Sequence, residues 1–163
     1  MGTQFKRVPM VLLAGLSLLV SACGFQPLYG GPNFSALPGL TIEAGPTRQD
    51  YLIEDGLRDF LGGGNSPYRL EFQTETREVG LGLSAAGRAA RFQYIVQIAY
   101  RLSPPEGEPV TGTFMESVYF DAPSDPYGLL AARSDAEERA AGEVVQRLVQ
   151  ELAAELRRAE NQG

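Results

Sequence analysis

The residue best placed to do chemistry in this chain is Cys23, its only cysteine. It follows a basic pair, Lys6-Arg7, an apolar run over residues 8–20, and two small residues at 21–22. A short basic segment, an apolar segment of this length and small residues before a cleavage point are typical of a secretory signal peptide. A single cysteine excludes an intramolecular disulfide, so its thiol is available for another reaction.

The order Val20-Ser21-Ala22-Cys23 resembles the bacterial lipobox, in which the cysteine takes a diacylglyceryl group and the chain is cut just before it. The sequence therefore predicts a signal peptide over residues 1–22 and lipid attachment at Cys23. The apolar run has 13 residues, fewer than the ~20 that span a bilayer, and several acyl chains hold a protein firmly at a membrane surface. Gly24, where an inner-membrane lipoprotein commonly has Asp, favours the outer membrane. An ordinary cleaved signal and an uncleaved membrane helix are the alternatives.

The charge of the remaining chain excludes several functions. Removing residues 1–22 takes Lys6 and Arg7 from 14 basic residues and no acid from 20, which leaves 12 Arg and a net charge of −8. Such a chain is unsuited to binding nucleic acid. It has no histidine, and therefore lacks the usual general base and the commonest metal ligand. We predict no metal, no cofactor and no enzymatic activity.

One domain must position whatever site remains. Residues 23–38 are rich in Pro and Gly and predict an extended tether, and residues 39–160 predict a single domain. A short strand at 40–42 precedes a helix that Thr47 and Asp50 begin with a capping box and that residues 62–64, all Gly, end. Ile53, Leu57, Phe60 and Leu61 share one face of that helix.

Three further stretches alternate with period two and predict strands over residues 69–77, 92–102 and 110–120, the middle one central. Tyr94, Tyr100 and Phe114 are predicted core residues. A final helix of about 25 residues is predicted to begin at a capping box of Ser134 and Glu137. The predicted fold is α+β, a four-stranded mixed sheet with two helices packed on one face, in the order β-α-β-β-β-α.

Three segments resemble a known family. Residues 23–30, Cys-Gly-Phe-Gln-Pro-Leu-Tyr-Gly, are similar to the N-terminus of the lipopolysaccharide-assembly lipoprotein family LptE, in its alphaproteobacterial form. Residues 87–94 are similar to the family's basic turn entering its central strand. Residues 120–123 with 129–133 are similar to its loop leading into the C-terminal helix. The predicted element order also matches the family's fold.

The resemblance implies an outer-membrane lipoprotein that partners and plugs the barrel LptD, assists its assembly and helps deliver lipopolysaccharide. It implies lipopolysaccharide contacts at Arg88, Arg91 and Arg133. Guanidinium groups bind phosphates through paired hydrogen bonds, so a few loop arginines could hold a phosphorylated lipid head. We expect Arg88 and Arg133 in loops at one end of the sheet, close enough to share an anion. The alternative is that these arginines are solvated or pair with Glu137 and Glu138.

Two other functions are considered. One is a generic periplasm-facing lipoprotein that binds another envelope protein through its sheet edge or free face. The other is an envelope-polymer hydrolase that uses the carboxylates of Glu71, Glu75 and Glu116. No Ser, His or Asp constellation accompanies these carboxylates, and Glu71 and Glu75 alternate as on a solvated strand face.

Overall fold

The computed structural model describes residues 37, 39–83 and 89–160. Its elements are β1 (Thr41–Ala44), α1 (Arg48–Leu61), β2 (Arg69–Leu83), β3 (Ala89–Ser103), β4 (Val110–Asp121) and α2 (Pro126–Glu160). The predicted signal peptide, Cys23 and Arg88 lie outside the described residues. In the described part of the chain, no helix combines the length and apolar character needed to cross a membrane.

The sheet confirms the predicted α+β class and element order. Its strands lie in the order β1-β2-β3-β4. β1 pairs parallel with β2 through a crossover that contains α1, and Thr41 lies opposite Arg69. β2, β3 and β4 form an antiparallel meander, in which β3 is flanked on both sides as predicted.

The two faces of the sheet differ because side chains alternate along each strand. The face that carries Leu70, Tyr94 and Phe114 is buried against both helices, and we call it the helix face. The opposite face, which carries Gln97 and Met115, is covered by neither α1 nor α2 and is called the open face. The core also contains Leu37, which is fully buried, and the carbonyl of Leu37 accepts a hydrogen bond from Leu40 N.

The beginning of α1 follows the predicted capping box. Thr47 Oγ1 accepts from Asp50 N at 3.1 Å, and an Asp50 oxygen accepts from Thr47 N at 3.0 Å. Thr74 on β2 donates to the other carboxylate oxygen at 2.8 Å, which fixes the helix start to the sheet. Phe60, predicted on the apolar face, is 41% exposed at the last turn of the helix.

The beginning of α2 differs from the prediction. The helix starts at Pro126, eight residues before Ser134, and is 35 residues long. Gly128 N donates to Asp125 Oδ1 at 2.6 Å, so Asp125 caps the helix and proline occupies the first helical position, where its missing N–H costs nothing. The predicted Ser134–Glu137 capping box is therefore wrong, and Arg133 lies inside a helix rather than in a loop.

Candidate functional site

Arg133 is held against the sheet by a paired hydrogen bond. Its Nε and Nη2 donate to the two carboxylate oxygens of Glu78 on β2, each at 2.9 Å. This hydrogen bond is the main reason why the pKa of Arg133 is raised above its ordinary value. The Arg133 side chain remains 45% exposed, so the guanidinium is oriented by the protein and still accessible to a ligand.

A separate set of hydrogen bonds lies beside this pair, where Tyr94 stands opposite Glu78 on the neighbouring strand. Tyr94 on β3 donates through its hydroxyl to Gln49 Oε1 at 3.1 Å, and Gln49 Nε2 donates to the Glu137 carbonyl at 3.3 Å. Arg48 Nε donates to the Glu137 carboxylate at 2.9 Å. Arg48 and Arg133 thus border one cluster from two helices, and the nearby carboxylates of Glu78 and Glu137 balance their charge.

The charges around this cluster agree with its geometry. The hydrogen bond from Arg48 to Glu137 raises the pKa of Arg48. Burial is the main cause of a raised pKa at Tyr94, and the charges of Glu137 and Glu78 act in the same direction. The Tyr94 hydroxyl is therefore a neutral hydrogen-bond donor in the interior of the cluster.

Arg91 lies elsewhere. It stands near the beginning of β3, opposite Asp121, and its Nε donates to Asp121 Oδ1 at 2.8 Å. The side chains of Arg91 and Asp121 are 58% and 74% exposed. By alternation from the buried Tyr94, Arg91 belongs to the open face, whereas Arg133 contacts the helix face. The two arginines lie toward the same end of the sheet but do not share one surface.

The three arginines predicted to contact lipopolysaccharide therefore do not form one site among the described residues. Arg88 lies outside the described residues, so its expected meeting with Arg133 stays a prediction. Arg133 pairs with Glu78 and not with Glu137 or Glu138, while Arg48 takes Glu137. Sequence reasoning missed Glu78 and Arg48. Glu78 continues the alternation of β2 past Thr76, and that signal would have identified it as a helix-face residue.

The carboxylates of the hydrolase alternative do not form a pair. Glu71 and Glu75 lie on the open face of β2, and Glu116 lies on the helix face of β4, where it accepts a hydrogen bond from Arg147 at 2.7 Å. A general acid and a general base must both come within hydrogen-bond reach of the same substrate, and the sheet separates Glu116 from Glu71 and Glu75. Among the described residues, no group of three or more Asp, Glu, His or Cys could hold a metal ion.

A groove of about 810 Å³ lies on the open face near β1, the end away from Arg91 and Arg133. Its walls include two acids, Glu43 and Glu71, together with Arg101 and Thr111. Both this groove and the helix-face cluster have mixed charge. The helix-face cluster is the better candidate site because a paired hydrogen bond orients the half-exposed Arg133 there.

The sheet order, the two helices on the helix face and the half-exposed Arg133 define an α+β domain that presents an oriented arginine at its surface. The family described as LptE, Lipopolysaccharide-assembly, matches residues 39–152. The chain belongs to the LptE family, as the three sequence segments predicted. No curated protein matches the chain.

Solved structures show the same fold. A predicted lipoprotein from Caulobacter crescentus is 27% identical, with a TM-score of 0.61 over 76% of this chain and 95% of that one. Lipoprotein B from Nitrosomonas europaea is 15% identical, with a TM-score of 0.54 over 80% and 91% of the two chains. The rare lipoprotein B from Shewanella oneidensis is 14% identical, with a TM-score of 0.50 over 76% and 97%.

Proposed function

We propose that this protein is an outer-membrane lipoprotein, anchored on the periplasmic side through an acylated Cys23. It partners and plugs the LptD barrel, and it assists lipopolysaccharide assembly at the outer membrane. The observation that carries this proposal is the LptE family match over residues 39–152. The lipobox-like order before Cys23 and the resemblance to the Caulobacter crescentus lipoprotein support the anchor.

The lipopolysaccharide contact is assigned first to Arg133. Its guanidinium is oriented by Glu78 and half exposed, so a lipid phosphate can bind beside or in place of the carboxylate. Arg88 remains a second candidate. Arg91 contributes a separate contact on the open face, because the sheet lies between it and Arg133. The protein acts by binding and positioning, without catalysing a reaction.

Labelling and fractionation test the anchor. Cells supplied with labelled palmitate should mark the wild-type protein and leave Cys23→Ala unmarked, and the labelled protein should fractionate with the outer membrane. Label that persists on Cys23→Ala, or recovery of the protein with the inner membrane, would contradict the proposed anchor.

Crosslinking in cells tests the barrel partnership. The protein should be recovered with LptD, and its depletion should lower the amount of mature barrel and make cells permeable to hydrophobic antibiotics. Recovery of a different envelope protein, with unchanged LptD and intact permeability, would support the generic periplasm-facing lipoprotein instead.

Charge reversal tests the lipid contact. Hydrogen bonds to charged partners contribute about 1.5–3 kcal/mol each, so Arg88→Asp with Arg133→Asp should weaken lipopolysaccharide binding at least tenfold. Arg157→Asp with Arg158→Asp, at the far end of α2, makes the same charge change and should leave binding near the wild-type value. Equal binding by the wild type and the first variant would remove these arginines from the site.

A further inference from the structure

The outer edge of β4 is covered by two arginine side chains from α2. β4 is the last strand of the sheet, and alternate residues of such a strand direct their N–H and C=O away from the neighbouring strand. Arg147 Nη1 donates to the Met115 carbonyl at 3.3 Å, and Arg139 Nη2 donates to the Tyr119 carbonyl at 3.2 Å. Met115 and Tyr119 are therefore edge residues whose outward carbonyls are already occupied.

The spacing of the two arginines matches that of the two carbonyls. Arg139 and Arg147 are eight residues apart, which is about 12 Å at the 1.5 Å rise of a helix. Met115 and Tyr119 are four residues apart, which is about 14 Å at the rise of an antiparallel strand. α2 runs antiparallel to β4, so a single stripe of the helix reaches both positions.

Each arginine is fixed by further contacts. Arg139 Nε donates to Asp135 at 2.8 Å, and Arg147 Nη1 also donates to Glu116 at 2.7 Å. The guanidinium carbon of Arg147 lies 4.6 Å from the centre of the Phe114 ring, a cation–π contact. These contacts orient both guanidiniums at the edge of β4. They offset the conformational entropy that a long side chain loses when it is held in one position.

The uncovered strand would be complementary to itself. If two copies of β4 paired antiparallel about Ser117, Met115 would lie opposite Tyr119 of the second copy, and Phe114 opposite Phe120. Met115 and Tyr119 are 58% and 52% exposed on the open face. Apolar and aromatic pairs across antiparallel strands stabilise a sheet. A two-fold contact of this kind forms a closed dimer and leaves no free copy of the edge for further assembly.

We propose that β4 is a latent homodimerisation strand, which Arg139 and Arg147 keep unpaired. In the two-fold pairing, the Met115 carbonyl would accept from the Tyr119 N–H of the second copy, and the Tyr119 carbonyl from the Met115 N–H. These are the two carbonyls that the arginines occupy. An unprotected edge strand is a template for pairing with another chain. The partner proposed here is a second copy of this protein, because the β4 sequence is complementary to itself.

The test is the oligomeric state of Arg139→Ala/Arg147→Ala, with the full chain purified in detergent. We expect a monomeric wild type and a variant whose dimer dissociation constant is at least tenfold lower, measured by size-exclusion chromatography with light scattering. Arg157→Ala/Arg158→Ala removes the same charge from the end of α2 and should stay monomeric. A folded Arg139→Ala/Arg147→Ala variant that also stays monomeric would overturn the proposal, and so would open-ended aggregates.

A thiol probe locates the contact. Ser117→Cys in the Arg139→Ala/Arg147→Ala variant would face its own copy across the two-fold axis, within disulfide reach, and should form a covalent dimer on oxidation. Thr111→Cys, on the same strand, would not face its own copy and serves as the control. The Arg139→Ala/Arg147→Ala variant without an added cysteine, in which Cys23 is the only cysteine, gives the background. Crosslinking of Ser117→Cys at the same yield with both arginines present would show that they do not keep the edge unpaired.

A second pair of substitutions should reverse the effect. Met115→Lys with Tyr119→Lys places like charges opposite each other in the two-fold pairing, and should return the Arg139→Ala/Arg147→Ala variant to a monomer. A dimer that survives both lysines uses another surface and would overturn the proposal.

Discussion

Arg133 and Glu78 join α2 to β2 through two parallel hydrogen bonds of 2.9 Å each. Glu78 both orients the guanidinium and competes for it. Orientation of Arg133 favours ligand binding and competition for Arg133 opposes it. A substitution at Glu78 measures which effect is larger.

Glu78→Gln should strengthen lipopolysaccharide binding, by about threefold to tenfold, because a phosphate then meets less competition for Arg133. The free energy of unfolding should fall by no more than about 1 kcal/mol, since both side chains are partly exposed and such ion pairs contribute little. Glu75→Gln, on the open face of the same strand, is the matched control and should leave binding unchanged. Weaker binding by Glu78→Gln would show that orientation of Arg133 matters more than competition.

Asp50→Ala should destabilise the domain by about 2–3 kcal/mol. The Asp50 carboxylate is fully buried and accepts hydrogen bonds from the Thr47 backbone and from Thr74. Its removal leaves the buried Thr74 hydroxyl and the Thr47 N–H without this acceptor. Asp55→Ala, on the exposed side of the same helix, should change the free energy of unfolding by less than about 0.5 kcal/mol. Urea denaturation of both variants measures the difference, and equal stabilities would contradict this account of the cap.

Gly112→Ala should destabilise the domain by about 1–3 kcal/mol. A Cβ at position 112 would lie 2.5 Å from the Tyr100 ring, which packs directly over this glycine on the neighbouring strand. Tyr100→Val makes room, so the double variant should lose less stability than the sum of the two single changes. Strict additivity in thermal unfolding would show that the ring moves away without cost.

Gly142→Ala should have the opposite effect and stabilise the domain by up to about 1 kcal/mol. Position 142 lies inside α2, and a Cβ there would have no neighbour within 4 Å apart from the adjacent residues and the backbone of its own helix. The gain comes from the lower backbone entropy of the unfolded chain and needs no new contact. Urea denaturation measures it, and a loss of stability would indicate an unrecognised packing role for the glycine.

Stability should fall at alkaline pH partly through Tyr94. Burial raises the pKa of Tyr94 above its ordinary value of 10.0, so the folded protein holds this proton more tightly than the unfolded chain does. The resulting stabilisation is complete below pH 10 and decreases as the pH rises through the folded pKa. Tyr94→Phe should make the decline shallower, whereas Tyr51→Phe, at an exposed residue, should not. Identical slopes for all three proteins would contradict the prediction.

The sequence predicted the helices and strands well where the hydrophobic periodicity and the helix-capping residues agree. The Thr47–Asp50 box fixed the start of α1, and strict alternation located β3 and β4 within a few residues. The start of α2 was missed because Ser134 and Glu137 have the spacing of a cap while lying inside the helix. The stronger signal was Asp125-Pro126, an N-cap residue followed by the residue preferred at the first helical position.

The candidate site was predicted less completely. Arg133 was identified through resemblance, but its partner Glu78 is 55 residues away in the chain. No periodicity or motif links two such positions, since only the packing of α2 against the sheet brings them together. The same holds for Arg147 and Met115, whose contact depends on where the long helix crosses the edge of β4.

The shortness of β1 bears on how the domain opens. β1 has four residues, and its parallel pairing with β2 spans the whole intervening helix, whereas the meander joins strands that follow one another in the chain. Contacts between distant parts of the chain form late and add little when they are few. The backbone amides of β1 should therefore exchange hydrogen with solvent well before those of β3. The first cooperative unit to detach would be β1, the strand that follows the proposed anchor most closely in the sequence, and the meander with α2 would stay folded.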